Sequence, residues 1–190
     1  NIRVLCRLRP WIEEDGPRDG NTLAVNLDPD DDGVVKVSNK GRMHQFDFDK
    51  AFGIDSTQSQ VFEEVSSLVR SSLDGFKVCI FAYGQTGSGK TYTMEGPPSD
   101  TGIQQRALQL LFDEAKDPDW NFTISASMLE VYNETIIDLL SPNQSVKLEA
   151  KLQPDGILDV PGLTQVTVNS QQQVEQVRNA VTIFFTLPQI

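Results

Sequence analysis

The chain of 190 residues has one histidine, His44, and two cysteines, Cys6 and Cys79. A lone imidazole excludes His-rich metal centres and leaves no Ser-His-Asp or Cys-His constellation. Both cysteines fall in apolar, strand-like runs, which predicts buried reduced thiols in an intracellular protein rather than a disulfide or metal site. Basic residues are scarce too, 16 against 27 acidic ones, for a formal net charge of −11. That balance speaks against nucleic acid or an anionic membrane as partner, because either would need a local basic patch. There is no signal peptide and no apolar run long enough to span a bilayer, so the chain reads as soluble and cytosolic. It lacks an initiator Met, opens directly in a strand-like run and stops abruptly in the apolar residues 182–190, which together read as a cut from something longer. At 38% hydrophobic it has enough apolar material for one globular domain, and too little length for two.

Against these absences one stretch stands out. Val78-Cys79-Ile80-Phe81-Ala82-Tyr83 is an apolar, strand-like run, and Gly84-Gln85-Thr86-Gly87-Ser88-Gly89-Lys90-Thr91 follows it and fits G-x-x-x-x-G-K-[ST] in full. Tyr92-Thr93-Met94-Glu95 then reads as helix. Glycines let such a loop curl until its N–H groups face inward at a helix start, where unpaired donors and the helix dipole favour an anion. Polyphosphate is that anion. Lys90 is placed to reach its terminal phosphates, and the Thr91 hydroxyl to serve as a ligand of Mg²⁺. The competing reading is a glycine-rich connection that binds nothing.

In chain order, 2–9 alternates as a strand until Pro10 stops the ladder. Arg7, Arg9 and Pro10 at its exit are either solvated decoration or the flanks of a base pocket. Residues 22–27 and 34–37 predict a hairpin around the acidic turn 28–33, which lacks the ligand spacing of a calcium loop. After a turn at 39–41, Phe46, Phe48 and Phe52 line up for a core. A helix opened by Ser56 carries Val61, Phe62, Val65, Leu68, Val69 and Leu73 at the helical period and ends at Asp74-Gly75. Gly96-Pro97-Pro98 breaks the chain before an amphipathic helix over 103–115. Residues 122–132 predict one long strand closed by Asn133-Glu134, 136–140 a short helix, and 147–152, 158–160 and 165–168 short strands. Ser170 caps a last helix with Val174, Val177 and Val181 on one face. Strands interspersed with helices around a phosphate loop predict α/β.

A hydrolysing phosphate-loop enzyme also needs an Asp at a strand end and a group that orients water. Asp138 and Asp159 are the nearest carboxylates, and their helix-like or turn-flanked contexts favour structural roles. Glu130, Tyr132, Asn133 and Glu134 place no pair of carboxylates around a common substrate and also read as structural.

Taken together, 84–94, Arg7-Leu8-Arg9-Pro10, Phe46-Asp47-Phe48-Asp49 and Leu129-Glu130-Val131-Tyr132-Asn133-Glu134, in that setting and order, resemble the first half of a kinesin motor domain. The chain is most similar to the C-terminal-motor, minus-end-directed kinesins of the plant type, and the resemblance runs from Asn1 to about Val177. It implies a P-loop NTPase fold with a central mixed β-sheet flanked by helices, incomplete at the C-terminus, so that 1–190 is a partial motor domain. By position, it implies that Arg7, Arg9 and Pro10 flank adenine while Tyr92 stacks on it, with ATP or ADP and Mg²⁺ as ligands. It further implies a microtubule partner, a location on the cytoplasmic cytoskeleton, and dimerisation through a neck coiled coil outside this chain. The family's motifs Asn-x-x-Ser-Ser-Arg-Ser-His and Asp-Leu-Ala-Gly-Ser-Glu are absent from the 190 residues, and Val181 to Ile190 departs from its pattern. Two functions follow: an ATP-dependent microtubule motor domain, or an inactive remnant that at most binds Mg-nucleotide. No catalytic residue is identified in this stretch.

Overall fold

In a computed structural model of the chain, the residues described are 2–15, 24–114, 116, 123–154 and 156–185. They divide into two units, Asn1–Ala107 and Leu108–Ile190.

In the first unit, β1 (Leu5–Arg7) is followed by a single 3-10 turn, Glu13–Asp15, then β2 (Val25–Leu27), β3 (Val34–Asn39), β4 (Arg42–Asp47) and β5 (Lys50–Phe52). β2, β3 and β4 form an antiparallel meander, as the hairpin pattern predicts; residues 22 and 23 lie outside the described ones. The turn at 39–41 closes through positive φ at Lys40 and Gly41. β1 pairs in parallel with β5, setting Arg7 opposite Phe52, and the Leu8 N–H donates to the Phe52 carbonyl at 2.9 Å. The ladder thus carries the Arg7–Pro10 exit forward from the core.

α1 (Gln58–Leu73) starts one residue later than the sequence suggests. Thr57, not Ser56, is its cap: Thr57 Oγ1 accepts from the Gln60 N–H at 3.2 Å and Gln60 Oε1 accepts from the Thr57 N–H at 2.9 Å. Two donors orphaned at the helix start are satisfied reciprocally, an arrangement that favours Thr57 because Gln60 stands three positions on. Val61, Val65 and Val69 are buried at the spacing of one helix face. Phe52, Val61, Val65 and Ile103 form the core, with Leu5, Phe62, Ile80 and Met94 packed against it. On the outside of the helix, Glu64 gathers Lys50 at 2.5 Å and Arg3 at 3.4 Å. Phe46 departs from the expectation of burial at 51% exposed, because it lies on the outer strand of the meander.

The run 78–83 also departs from its expected form. It is irregular backbone that joins no ladder among the described residues, and only Ile80 packs on the core. A strand exists by pairing, and this one has no partner there. Cys79 is consequently exposed rather than buried, while Cys6 in β1 is half-buried; both are free thiols, and burial pushes the Cys6 thiol up. Beyond it, α2 (Lys90–Met94) is capped by Glu95, Gly96 follows with φ 67°, and α3 (Ile103–Glu114) resumes as expected.

In the second unit the predicted long strand is two, β6 (Ile124–Ala126) and β7 (Leu129–Tyr132), interrupted at 127–128; Phe122 lies outside the described residues. β8 (Thr135–Asp138) overturns the helix expected over 136–140. Asn133 and Glu134 have φ 46° and 59°, which makes them a two-residue hairpin turn that returns Thr135 directly alongside Tyr132. β-branched Thr135, Ile136 and Ile137 then prefer the ladder. The segment 147–152 splits into β9 (Lys147–Leu148), paired with β8, and β10 (Lys151–Leu152), paired with β11 (Leu158–Asp159). β12 (Val166–Val168) pairs antiparallel with β6. α4 (Gln171–Phe185) is capped as expected, Ser170 Oγ accepting from the Gln173 N–H at 3.3 Å.

Among the described residues the strands form five small sheets of two or three strands, not the one central sheet that the resemblance implies.

Candidate functional site

The site lies wholly in the first unit, where the end of β1, the entry to α1 and the loop before α2 converge. Gly89 is the residue before α2 and adopts φ 94°, a left-handed conformation that glycine alone adopts without penalty. A side chain there would also approach the Arg9 Cδ at 3.7 Å. Gly87 is left-handed as well, at φ 78°, and the Ser88 N–H donates to the Gln85 carbonyl at 3.2 Å. The loop therefore turns tightly and hands the chain to α2 with the helix's free N–H groups forward. Lys90 folds over it, its Nζ donating to the carbonyls of Gly84 at 2.9 Å and Gln85 at 2.8 Å.

A pocket of about 560 Å³ opens beside this loop. Arg7, Leu8, Arg9, Pro10 and Ile12 line one side, Gly87 to Thr93 the other, and Ile54 and Ser56 complete the wall. Of the residues singled out in the sequence, Arg7, Arg9, Pro10, Gly87, Ser88, Gly89, Lys90, Thr91 and Tyr92 therefore meet around one cavity, while Gly84, Gln85 and Thr86 lie outside its lining. Among the described residues Arg7 is pocket wall rather than solvated decoration.

Arg7 is held firmly. Its Nη1 donates to Gln58 Oε1 at 2.7 Å and Thr93 Oγ1 at 3.0 Å, its Nη2 donates to the Ser56 carbonyl at 3.1 Å, and its guanidinium carbon stands 5.2 Å from the Tyr92 ring centroid. Burial lowers its pKa, and the nearby Tyr92 and Asp100 partly offset that. A guanidinium fixed against an aromatic ring gives a pocket wall with planar, polarisable faces. Arg9 is tied outward to Asp15 at 2.5 Å, and Asp15 also accepts from the Ile12 N–H at 3.0 Å, so one carboxylate braces two lining residues. That guanidinium holds the Asp15 carboxyl below its ordinary range.

Gln58, Ile12, Ile54, Ser56 and Thr93 were not legible as site residues. Gln58 meets Arg7 across 51 positions and Tyr92 across 34, and nothing local marks such a contact.

The metal ligand expected from the sequence, Thr91, lies in the pocket lining. Thr91 presents a hydroxyl at the helix start, and no group of three or more His, Cys, Asp or Glu side chains that could hold a metal occurs among the described residues. Asp138 does sit at a strand end, 3% exposed, yet its carboxylate is already used. It accepts from the Leu140 N–H at 2.9 Å and the Thr164 N–H at 2.8 Å, within the second unit. Its structural reading therefore stands, on different grounds from those in the sequence.

Comparisons with known proteins identify a family. The family described as "Kinesin motor domain" matches residues 7–182. The chain is 43% identical over 183 residues to kinesin-like protein KIN-14B of Oryza sativa subsp. japonica, covering 93% of this chain and 22% of that protein. Kinesin-like protein klp-3 of Caenorhabditis elegans is 43% identical over 180 residues, covering 93% of this chain and 30% of that protein. For kinesin-like protein KIFC2 of Homo sapiens the values are 42% over 178 residues, 93% and 20%. The chain thus spans less than a third of the length of these relatives. With the family matched over most of its residues and relatives 43% identical over nearly the whole of it, this chain belongs to the kinesin motor domain family, with the P-loop NTPase fold that membership implies.

Proposed function

We propose that this stretch is the nucleotide-binding part of a microtubule motor that couples ATP hydrolysis to movement along the filament. The observation that supports it is a pocket that Gly87 to Tyr92 line together with Arg7 and Pro10. Phosphates lie on the loop and the start of α2, Lys90 exchanges its loop carbonyls for phosphate oxygens, and the base inserts among Arg7, Arg9, Pro10 and Tyr92. Mg²⁺ supplies charge neutralisation when bound, and Thr91 is the residue that would hold it. The setting is the cytoplasmic microtubule cytoskeleton, with dimerisation through a coiled coil outside these residues and no role for nucleic acid or membrane. Calorimetry of ATP binding tests the site: Lys90→Ala is expected to weaken it about tenfold or more, because charge-assisted bonds to phosphate are lost. Equal affinity in the variant would remove the assignment.

A second reading is favoured by one specific observation. The 190 residues contain neither of the family's two switch motifs. Transition-state charge would then be met by Lys90, Mg²⁺ and loop N–H groups alone. On this reading residues 1–190 bind Mg-nucleotide without motor-like turnover. Phosphate release measured with and without microtubules decides: a flat, low rate is expected, and filament-stimulated turnover would overturn it.

A further inference from the structure

Gln58 is the first residue of α1 and is 1% exposed, yet it does not line the pocket. Its two ends reach the two chain segments that line the site. Oε1 accepts from Arg7 Nη1 at 2.7 Å, while Nε2 donates to the Tyr92 carbonyl at 2.5 Å and more loosely to the Asp100 carbonyl at 3.5 Å. The orientation is forced, since a guanidinium offers only donors and a carbonyl only an acceptor. Gly96 leaves room for the amide: a Cβ there would come within 2.7 Å of Nε2. Thr93 and the Ser56 carbonyl take the remaining Arg7 donors used here, so the guanidinium plane is fixed from three sides.

Both ends of this buried amide are committed to residues that line the site. Resting on the reading of this pocket as a nucleotide site, we infer that Gln58 is a positioning residue for the base. It couples the Arg7 guanidinium to the Tyr92 backbone, so that the Arg7–Tyr92 pair is set as one face for a planar base before the ligand arrives. The phosphate loop is not among its hydrogen-bond partners, so its influence falls on the base rather than on the phosphates.

The test compares ATP with inorganic tripolyphosphate, which has the charge but no base, by calorimetry alongside thermal melting. Gln58→Met keeps the volume and loses both bonds; it is expected to weaken ATP about tenfold and tripolyphosphate less than about twofold. In an Arg7→Ala background the same change is expected to add little further loss for ATP, because the two side chains act as one unit. Gln58→Glu, which keeps an acceptor for Arg7, is expected to recover part of the ATP-to-tripolyphosphate ratio. Equal losses for both ligands, or no loss for either, in a variant that melts cooperatively overturns the positioning role and leaves the nucleotide reading intact. Failure of the unaltered chain to bind either ligand overturns both. Loss of the cooperative melt in both Gln58 variants overturns the inference in favour of a scaffold role.

Discussion

At the scale of single residues, Asp138 shows how a carboxylate can be committed to the fold. Burial raises its pKa, but bonds from Thr164 and from the backbone N–H groups of Leu140 and Ser141 outweigh that, and the net position is below the ordinary carboxylate value. A group whose folded pKa is depressed contributes stability that is complete above its unfolded value, about 4, and is lost as pH falls through the folded one. Asp138→Asn is therefore expected to destabilise the second unit by about 1 to 3 kcal/mol at neutral pH and to flatten its acid sensitivity below about pH 4. Denaturant melts across pH 2 to 7 give the comparison, and an unchanged acid limb would show that other carboxylates dominate. Residue chemistry was legible where it is local. The left-handed Gly87 and Gly89 and the position of Lys90 follow from the motif. Arg7 required a partner from another segment before pocket could be told from surface.

Elements follow the same rule. α1 and α4 were legible because capping and the 3.6-residue period are written within a few positions; only the cap of α1 shifted, to the residue whose box partner Gln60 is present. Strands depend on distant partners and were less legible. The run 136–140 fits both periods, and the turn at Asn133-Glu134 decides between them. That turn also makes a prediction. Glu134 holds φ 59° without being glycine, so Glu134→Gly is expected to stabilise the β7–β8 hairpin by up to about 1 kcal/mol, as relief from left-handed strain exceeds the added chain entropy. Thermal unfolding read against the parent chain tests this, and a lowered midpoint would mean that the Glu134 side chain makes a compensating contact.

For the whole molecule, charge and exposed apolar surface oppose each other. Phe81 is 78% and Tyr83 95% exposed, and the sheets are small with open edges. Such surfaces favour association, while a net charge of −11 resists it. Salt shortens the reach of that repulsion to roughly 3 Å at 1 M. Light scattering of the purified chain is accordingly expected to rise with added sodium chloride, and an unchanged or falling signal would show that the 78–83 surface is already protected. A single sheet was expected from resemblance, whereas among the described residues the strands form five small ones and 78–83 joins no ladder.

The grip of Lys90 on the carbonyls of Gly84 and Gln85 bears on how any affinity for this loop is read. Anion capture here is an exchange, since two internal bonds are surrendered for each set gained, and calorimetry registers only the difference. An anion too weak to repay that surrender is refused, which gives the loop an entry threshold without any moving gate. Lys90→Ala removes the sitting tenant together with the attracting charge, so the loss it shows understates what the ammonium contributes to a bound phosphate.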